Sequence, residues 1–343
     1  MTSSQPPSGD DNHHAGHLVP ILCLIGVVAL LSSITPVMKN VFLHSEMSFV
    51  DIARERVHIG FLILAGMTVC LDWRGVRALR FQDSLHLAGV GVLGVASYTI
   101  AAWGLMYTSV THYALVYSLL PTFTAIFSYC LGRQHTNPLT WFGILLSWVG
   151  CAVAISGGGG PQAADFGLGD ALALLFTLMM SVHIVMSPHV VKQHGVLTSN
   201  TVMFGASALF LWAGSIIWGT GSQQESFSLN VAGSVLFIGA GTAGVFLLRS
   251  RSLRSLPPTM VGAYHNLIPI CTIGIAHFSL DEPLPLSTIL GAIAVLLGSE
   301  LVRRASSFGF SLTWPSWGVR RDLAPTWTAA PAAIRSYSKR FQR

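Results

Sequence analysis

Few polar side chains interrupt the long apolar runs of this sequence, and several of those few stand in related places. Tyr113 and Tyr117 are four residues apart, so on a helix they share one face, with Ser118 beside them. At an offset of 148 residues, Tyr117 and Ser118 correspond to His265 and Asn266, with Tyr264 adjacent. A proline follows each group, Pro121 and Pro269, and each removes a backbone N–H and frees a carbonyl one turn earlier. Hydroxyl, imidazole and amide groups beside freed carbonyls can hydrogen-bond a small polar or zwitterionic solute. The same groups also serve to join helices to one another inside a membrane. His183 is suited to carrying a proton near neutral pH, or to a structural hydrogen bond. Arg249, followed by Arg251 and Arg254, can attract a carboxylate or phosphate, or can snorkel toward headgroups. Tyr98 and Trp103 offer an aromatic wall, or belong to the core and interfacial belt. The candidate solute-binding residues are therefore Tyr98, Trp103, Tyr117, Ser118, His183, Arg249, Tyr264, His265 and Asn266.

Catalytic and metal chemistry find little support. No Walker loop, HExxH or GxSxG occurs, and the GAGTAG of Gly239–Gly244 sits inside an apolar run with no strand before it. There it reads as a small-residue stripe for close helix packing. The five cysteines are scattered singly, without a CxxC pair. The histidines at 13, 14 and 17 read as part of a polar tail rather than a metal site. No cofactor is expected. The net charge of +5 is spread over loops instead of being gathered on one face, so nucleic acid is not an expected partner.

The elements that carry these residues follow from composition. Of 343 residues, 52% are hydrophobic and 10% charged, with a mean hydropathy of +0.60. A soluble domain carries about 25% charged residues. Most of this surface must therefore face lipid. A bilayer core takes about 20 apolar residues in a helix, because each backbone polar group has to be satisfied within the segment. Ten stretches fit: 18–38, 57–72, 84–105, 110–131, 138–156, 169–188, 200–219, 231–251, 258–279 and 285–302. The run at 18–38 is too long for a cleavable leader and reads as the first span. Alternate loops collect Arg74, Arg77 and Arg80, then Arg133, Lys192, Arg249, Arg251 and Arg254, and the basic tail from Arg303. The opposite loops hold Asp165, Glu225, Asp281 and Glu282. By the positive-inside rule both termini are cytoplasmic. Lys39, Arg54 and Arg56 run against the trend.

The chain also repeats itself. Tyr117–Gly150 aligns with His265–Gly298 without a gap: Pro121 with Pro269, Gly143 with Gly291, Gly150 with Gly298, all at the offset of 148. Upstream, Gly91 pairs with Gly239 and Thr111 with Thr259. Five spans per unit is an odd number, so the two copies are expected to lie in the membrane upside down relative to each other, around a midplane cavity.

These segments resemble the EamA-type repeat of the drug/metabolite transporter superfamily. That repeat has a helix centred on a proline, a terminal Glu, and glycines nine and sixteen residues after it, matched here by Glu282, Gly291 and Gly298. Gln134 stands at the Glu position in the first half. Ser32–Lys39 is similar to the first-helix motif that ends in Lys, without its Trp-Gly. The resemblance covers residues 18–303 and implies an all-α integral membrane protein, ten transmembrane helices arranged as two inverted five-helix repeats. It implies a carrier of small organic solutes, often an exporter, working by alternating access, rather than an enzyme.

The expected organisation is a polar cytoplasmic tail at 1–17, a first repeat at 18–156 and a Gly-rich linker at 157–168. A second repeat at 169–303 and a basic Trp- and Pro-containing tail at 304–343 complete it. A bacterial inner membrane is the expected location. The expected partners are a small-molecule substrate and the lipid bilayer, and a homodimer is compatible with the sequence. The competing readings are a non-transporting relative with a regulatory or scaffolding role and an intramembrane enzyme.

Overall fold

Long runs of Leu, Val, Ile, Ala and Phe with few breaks leave the backbone one economical way to satisfy its own hydrogen bonds, and every regular element among the described residues is a helix. The computed structural model describes residues 11–130, 138–156, 166–218, 228–255 and 264–307. Gln134, residues 157–165 of the linker and the tail beyond 307 lie outside them.

The first half contains α1 (Asp11–His44), α2 (Phe49–Leu71), the short α3 (Trp73–Arg77), α4 (Phe81–Tyr107), α5 (Val110–Tyr117), α6 (Leu120–Cys130) and α7 (Pro138–Ser156). The second half contains α8 (Leu168–His194), α9 (Val196–Trp218), α10 (Leu229–Ser255), α11 (Leu267–Leu280) and α12 (Leu286–Ser307). Among the described residues, eight helical stretches are long and apolar enough to cross a bilayer. They fall in α1, α4, α5 with α6, α7, α8, α9, α10 and α12. The two other expected spans differ for stated reasons. The 23-residue α2 carries Asp51, Arg54, Glu55 and Arg56 in its first two turns, and the described part of α11 is only 14 residues long. The expected fourth span is broken into α5 and α6. Pro121 has no N–H for the Tyr117 carbonyl, and the backbone tightens there through i→i−3 bonds from Ser118 to Leu115 and from Leu119 to Val116. A turn at Asn266, just ahead of Pro269, marks the same place in the second half.

Packing repeats at the offset seen in the sequence. Where α1 packs on α10, the corresponding pair is α4 on α8, and where α2 packs on α10, it is α4 on α9. Likewise α1 lies on α11 as α6 lies on α8. The corresponding helices α7 and α12 pack on each other. Gly143 faces Gly298 while Gly150 faces Gly291, so the two helices run antiparallel and each touches the other through equivalent residues. Ser147 Oγ donates to the Val295 carbonyl at 3.3 Å, a contact between positions 148 apart. A β-carbon built on Gly150 would lie 2.8 Å from the Gly291 carbonyl oxygen, which is why glycine is required at this crossing.

The interior is filled by Leu24, Ile34, Met38, Leu64, Leu105, Met180 and Ile238, all fully buried. Leu62, Phe81, Phe142, Leu209, Phe278 and Leu297 point outward and are exposed. In water such an apolar exterior would aggregate; against hydrocarbon it is stable.

Candidate solute-binding site

Between the two halves lies a small cavity of about 30 Å3, part of it open to solvent. Thr35 and Met38 of α1, Arg56 of α2, Tyr98 of α4 and Tyr113 and Tyr117 of α5 line it from the first half. Phe176 of α8 and Pro269 and Thr272 of α11 line it from the second. A smaller cavity of about 10 Å3 also borders Arg56 and Tyr98, bounded by His183, Ser207, Thr242 and Phe246.

Arg56 is the unusual group. It is 4% exposed, its Nε donates to Thr242 Oγ1 at 2.6 Å, and its guanidinium lies 4.2 Å from the centre of the Tyr98 ring. Among the described residues no carboxylate pairs with it, and its terminal nitrogens find no acceptor. A guanidinium stays charged in a protein. Removing one from water costs several kcal/mol (order of magnitude). The Tyr98 ring returns about 0.5–2 kcal/mol and the Thr242 bond about 1 kcal/mol. The site therefore holds an uncompensated positive charge.

Aromatic rings form the rest of the wall. Tyr113 and Tyr117, one turn apart on α5, both stack on Phe176, with centroids at 5.7 and 5.5 Å. Tyr98 tilts against Phe176 at 5.9 Å and meets the edge of Phe246 at 6.1 Å. On the other side of Phe246 lies Arg249, also buried, with its guanidinium 4.8 Å from the ring centre. The structure thus runs Arg56, Tyr98, Phe246, Arg249 in sequence through the interior.

Of the residues singled out from the sequence, Tyr98 and Tyr117 line the larger cavity, and His183 lines the smaller. His183 Nδ1 lies 3.1 Å from the Val90 carbonyl, and its Nε2 is buried without a hydrogen-bond partner. Ser118 is turned to structural work: its hydroxyl donates to the Leu115 carbonyl, and its own carbonyl accepts from Ser299 at 3.1 Å. Trp103 stacks on Phe49 at 5.2 Å. Tyr264 packs with Ile21 and Leu24, and His265 and Asn266 are half-buried at the turn before α11. Sequence reasoning passed over Arg56, Thr242, Phe176 and Phe246. The available signal was that Arg56 stands at the head of an apolar run, on the side where positive charge is disfavoured.

At the Lys39 end of the bundle, charges are tied together across the halves. Lys39 Nζ donates to the Leu105 and Thr108 carbonyls, both at 2.9 Å, closing the C-terminus of α4. Asp170 accepts from Thr108 Oγ1 at 2.6 Å and lies 3.7 Å from His112 Nδ1. Asp281 adopts a left-handed conformation (φ 52°), which Asp tolerates, and this turns Glu282 toward α5. Glu282 then accepts from the Val110 and Thr111 N–H groups at 2.7 and 2.8 Å, capping α5 from the other half of the chain. Arg54 pairs with Asp51 at 3.2 Å and Glu55 at 3.1 Å. Each of the three cations that opposed the charge trend is therefore engaged inside the bundle or neutralised beside it.

A many-helix apolar bundle with an apolar exterior is the architecture of a multi-pass membrane protein. Comparison with known proteins is specific. The EamA-like transporter family model matches residues 19–156 and again 167–304, and the chain belongs to that family. Similar curated proteins include "Uncharacterized transporter YetK" of Bacillus subtilis (strain 168), 24% identical over 82% of this chain and 84% of that protein. "Uncharacterized transporter YyaM" of the same organism is 22% identical over 68% of this chain and 77% of its own length. An "Uncharacterized transporter" of Archaeoglobus fulgidus is 22% identical over 66% and 79%. One solved crystal structure superposes with a TM-score of 0.59 over 87% of this chain and 99% of its own, at 14% identity, a likeness of fold.

Proposed function

We propose that this protein is a secondary transporter that moves a small polar organic metabolite across a membrane by alternating access, with export as its direction and amino acids the first class to test. The observation that carries this reading is the cavity itself. Helices of both halves enclose it, and the helix pairs around it recur at one offset, so two alternative packings of the halves would open it to opposite faces. The antiparallel, reciprocal contact of α7 with α12 supports an inverted repeat of ten spans, with α2 and α11 completing the set. Arginine-rich loops on one side support cytoplasmic termini, and a bacterial inner membrane is the proposed location. Family and relatives suggest a transporter rather than an enzyme. Energy comes from a solute or proton gradient in this reading. Counterflow of labelled metabolites in proteoliposomes tests it. Saturable counterflow of at least one solute is the expected result, and none across a broad panel would sink the proposal.

A further inference from the structure

Two buried arginines, without counterions among the described residues, bear on what the cavity accepts. Arg56 lines both cavities, and Arg249 lies about two turns farther along α10 than Thr242, the hydroxyl that holds Arg56. Each guanidinium rests on an aromatic face, and neither has an ion pair among the described residues. The nearby carboxylates are engaged elsewhere: Asp51 and Glu55 with Arg54, Asp170 with Thr108, Glu282 with the start of α5. Among the described residues, no Asp or Glu lines either cavity. Besides Arg56, the polar groups that do are hydroxyls of Thr35, Tyr98, Tyr113, Tyr117, Ser207, Thr242 and Thr272, and the His183 imidazole.

We infer that the solute is a net-negative organic oxyanion whose charged group is taken by the free fork of the Arg56 guanidinium. This deepens the transporter reading and rests on it. The argument is one of charge balance. A solute that enters a water-poor cavity must have its charge compensated there. A cation would meet Arg56 with no acidic partner to receive it. A zwitterion could leave its carboxylate on Arg56, but its ammonium would meet only hydroxyls and ring faces, with no carboxylate among the described lining residues to balance it. An anion cancels the charge the cavity already holds, through charge-assisted bonds to the terminal nitrogens that lack acceptors. The planar aromatic faces of Tyr98, Tyr117 and Phe176 suit an apolar or flat remainder. Arg249 lines neither cavity and stands about 10 Å from the Thr242 level by helix rise.

The test uses the full-length protein in nanodiscs and the melting temperature as readout of binding. The probes are benzoate, benzamide and benzylamine, which share a ring and differ in charge, together with succinate and inorganic phosphate to separate carboxylate from phosphate recognition. At 10 mM, at least one of the anions is expected to raise the melting temperature saturably, while benzamide and benzylamine do not. Arg56→Gln removes that shift, weakening the anion tenfold or more. Arg56→Lys keeps the charge without the planar fork and falls between, which guards against reading a poorly folded Gln variant as lost binding. Equal stabilisation by benzamide or benzylamine, an anion shift retained in Arg56→Gln, or no shift with any of the three anions would overturn the inference. Anion binding without counterflow would instead count against transport, and counterflow of a cation independent of Arg56 would leave transport standing and remove the anion site.

Discussion

Consider a single methyl group placed where α7 crosses α12. In Gly150→Ala the new β-carbon would lie 2.7 Å from the Ala294 β-carbon and 2.8 Å from both the Gly291 carbonyl oxygen and the Val295 nitrogen. Carbon atoms settle at about 3.5–4.0 Å, so the helices must part by roughly 0.8 Å at this point. Backbone atoms on both sides leave no flexible side chain to yield. Overpacking of this kind costs about 1–3 kcal/mol, which lowers the melting temperature by roughly 2–10 °C for a protein of this size. Gly291→Ala meets the equivalent obstruction, the Ala154 β-carbon and the Gly150 carbonyl oxygen at 2.5 Å. One separation of the helices accommodates both methyls, so the double variant should lose less than the sum of the singles, by about 0.5 kcal/mol or more. Gly66→Ala is the control: nothing lies within 4 Å of its added carbon, and replacing a helical glycine there should be neutral or gain about 0.5–1 kcal/mol. Tryptophan fluorescence melting in detergent, with gel filtration to exclude aggregates, reads all four. Strict additivity of the two alanines, or a Gly150→Ala protein that melts with the wild type, would refute the reciprocal crossing.

Three further outcomes are expected. Glu282→Ala uncaps Val110 and Thr111 and should cost about 0.5–2 kcal/mol, with Glu282→Gln losing less because one acceptor oxygen remains; identical melting of the three proteins would contradict the cap. Tyr98→Leu removes the ring beneath Arg56 and should cost about 0.5–2 kcal/mol, whereas Tyr98→Phe keeps the ring face and should melt close to wild type. Asp170→Ala leaves the Thr108 hydroxyl without its carboxylate and should destabilise by about 1–3 kcal/mol; Thr108→Val made on top of it should then cost less than in the wild type, as a melting cycle will show.

Much of the architecture was legible because duplication leaves marks that physics preserves. The glycines at 143, 150, 291 and 298 are needed where two backbones nearly touch, and Pro121 and Pro269 are needed where a helix breaks. Apolar length gave most of the spans. For α2 it gave the apolar part, 57–72, and not the first two turns, whose charges are put to internal use and which hydropathy averages do not distinguish from loop charges. The site was harder to read. Tyr98, Tyr117 and His183 were visible as polar or aromatic residues at membrane depth. Arg56 was not, because its partner Thr242 is 186 residues away and the aromatic wall around it looks like ordinary core until the helices are assembled. Ser118 shows the opposite case: a hydroxyl beside a helix break is as readily consumed by the local backbone as offered to a solute.

The account stands or falls on whether the cavity between the halves meets both faces of the membrane. Replacing the five native cysteines and placing one at Thr272, which lines that cavity, allows a membrane-impermeant maleimide to be applied separately to intact cells and to inverted vesicles. Labelling from each side, with the ratio shifted by a transported solute, is the predicted result. Labelling from one side alone, or from neither, would contradict alternating access.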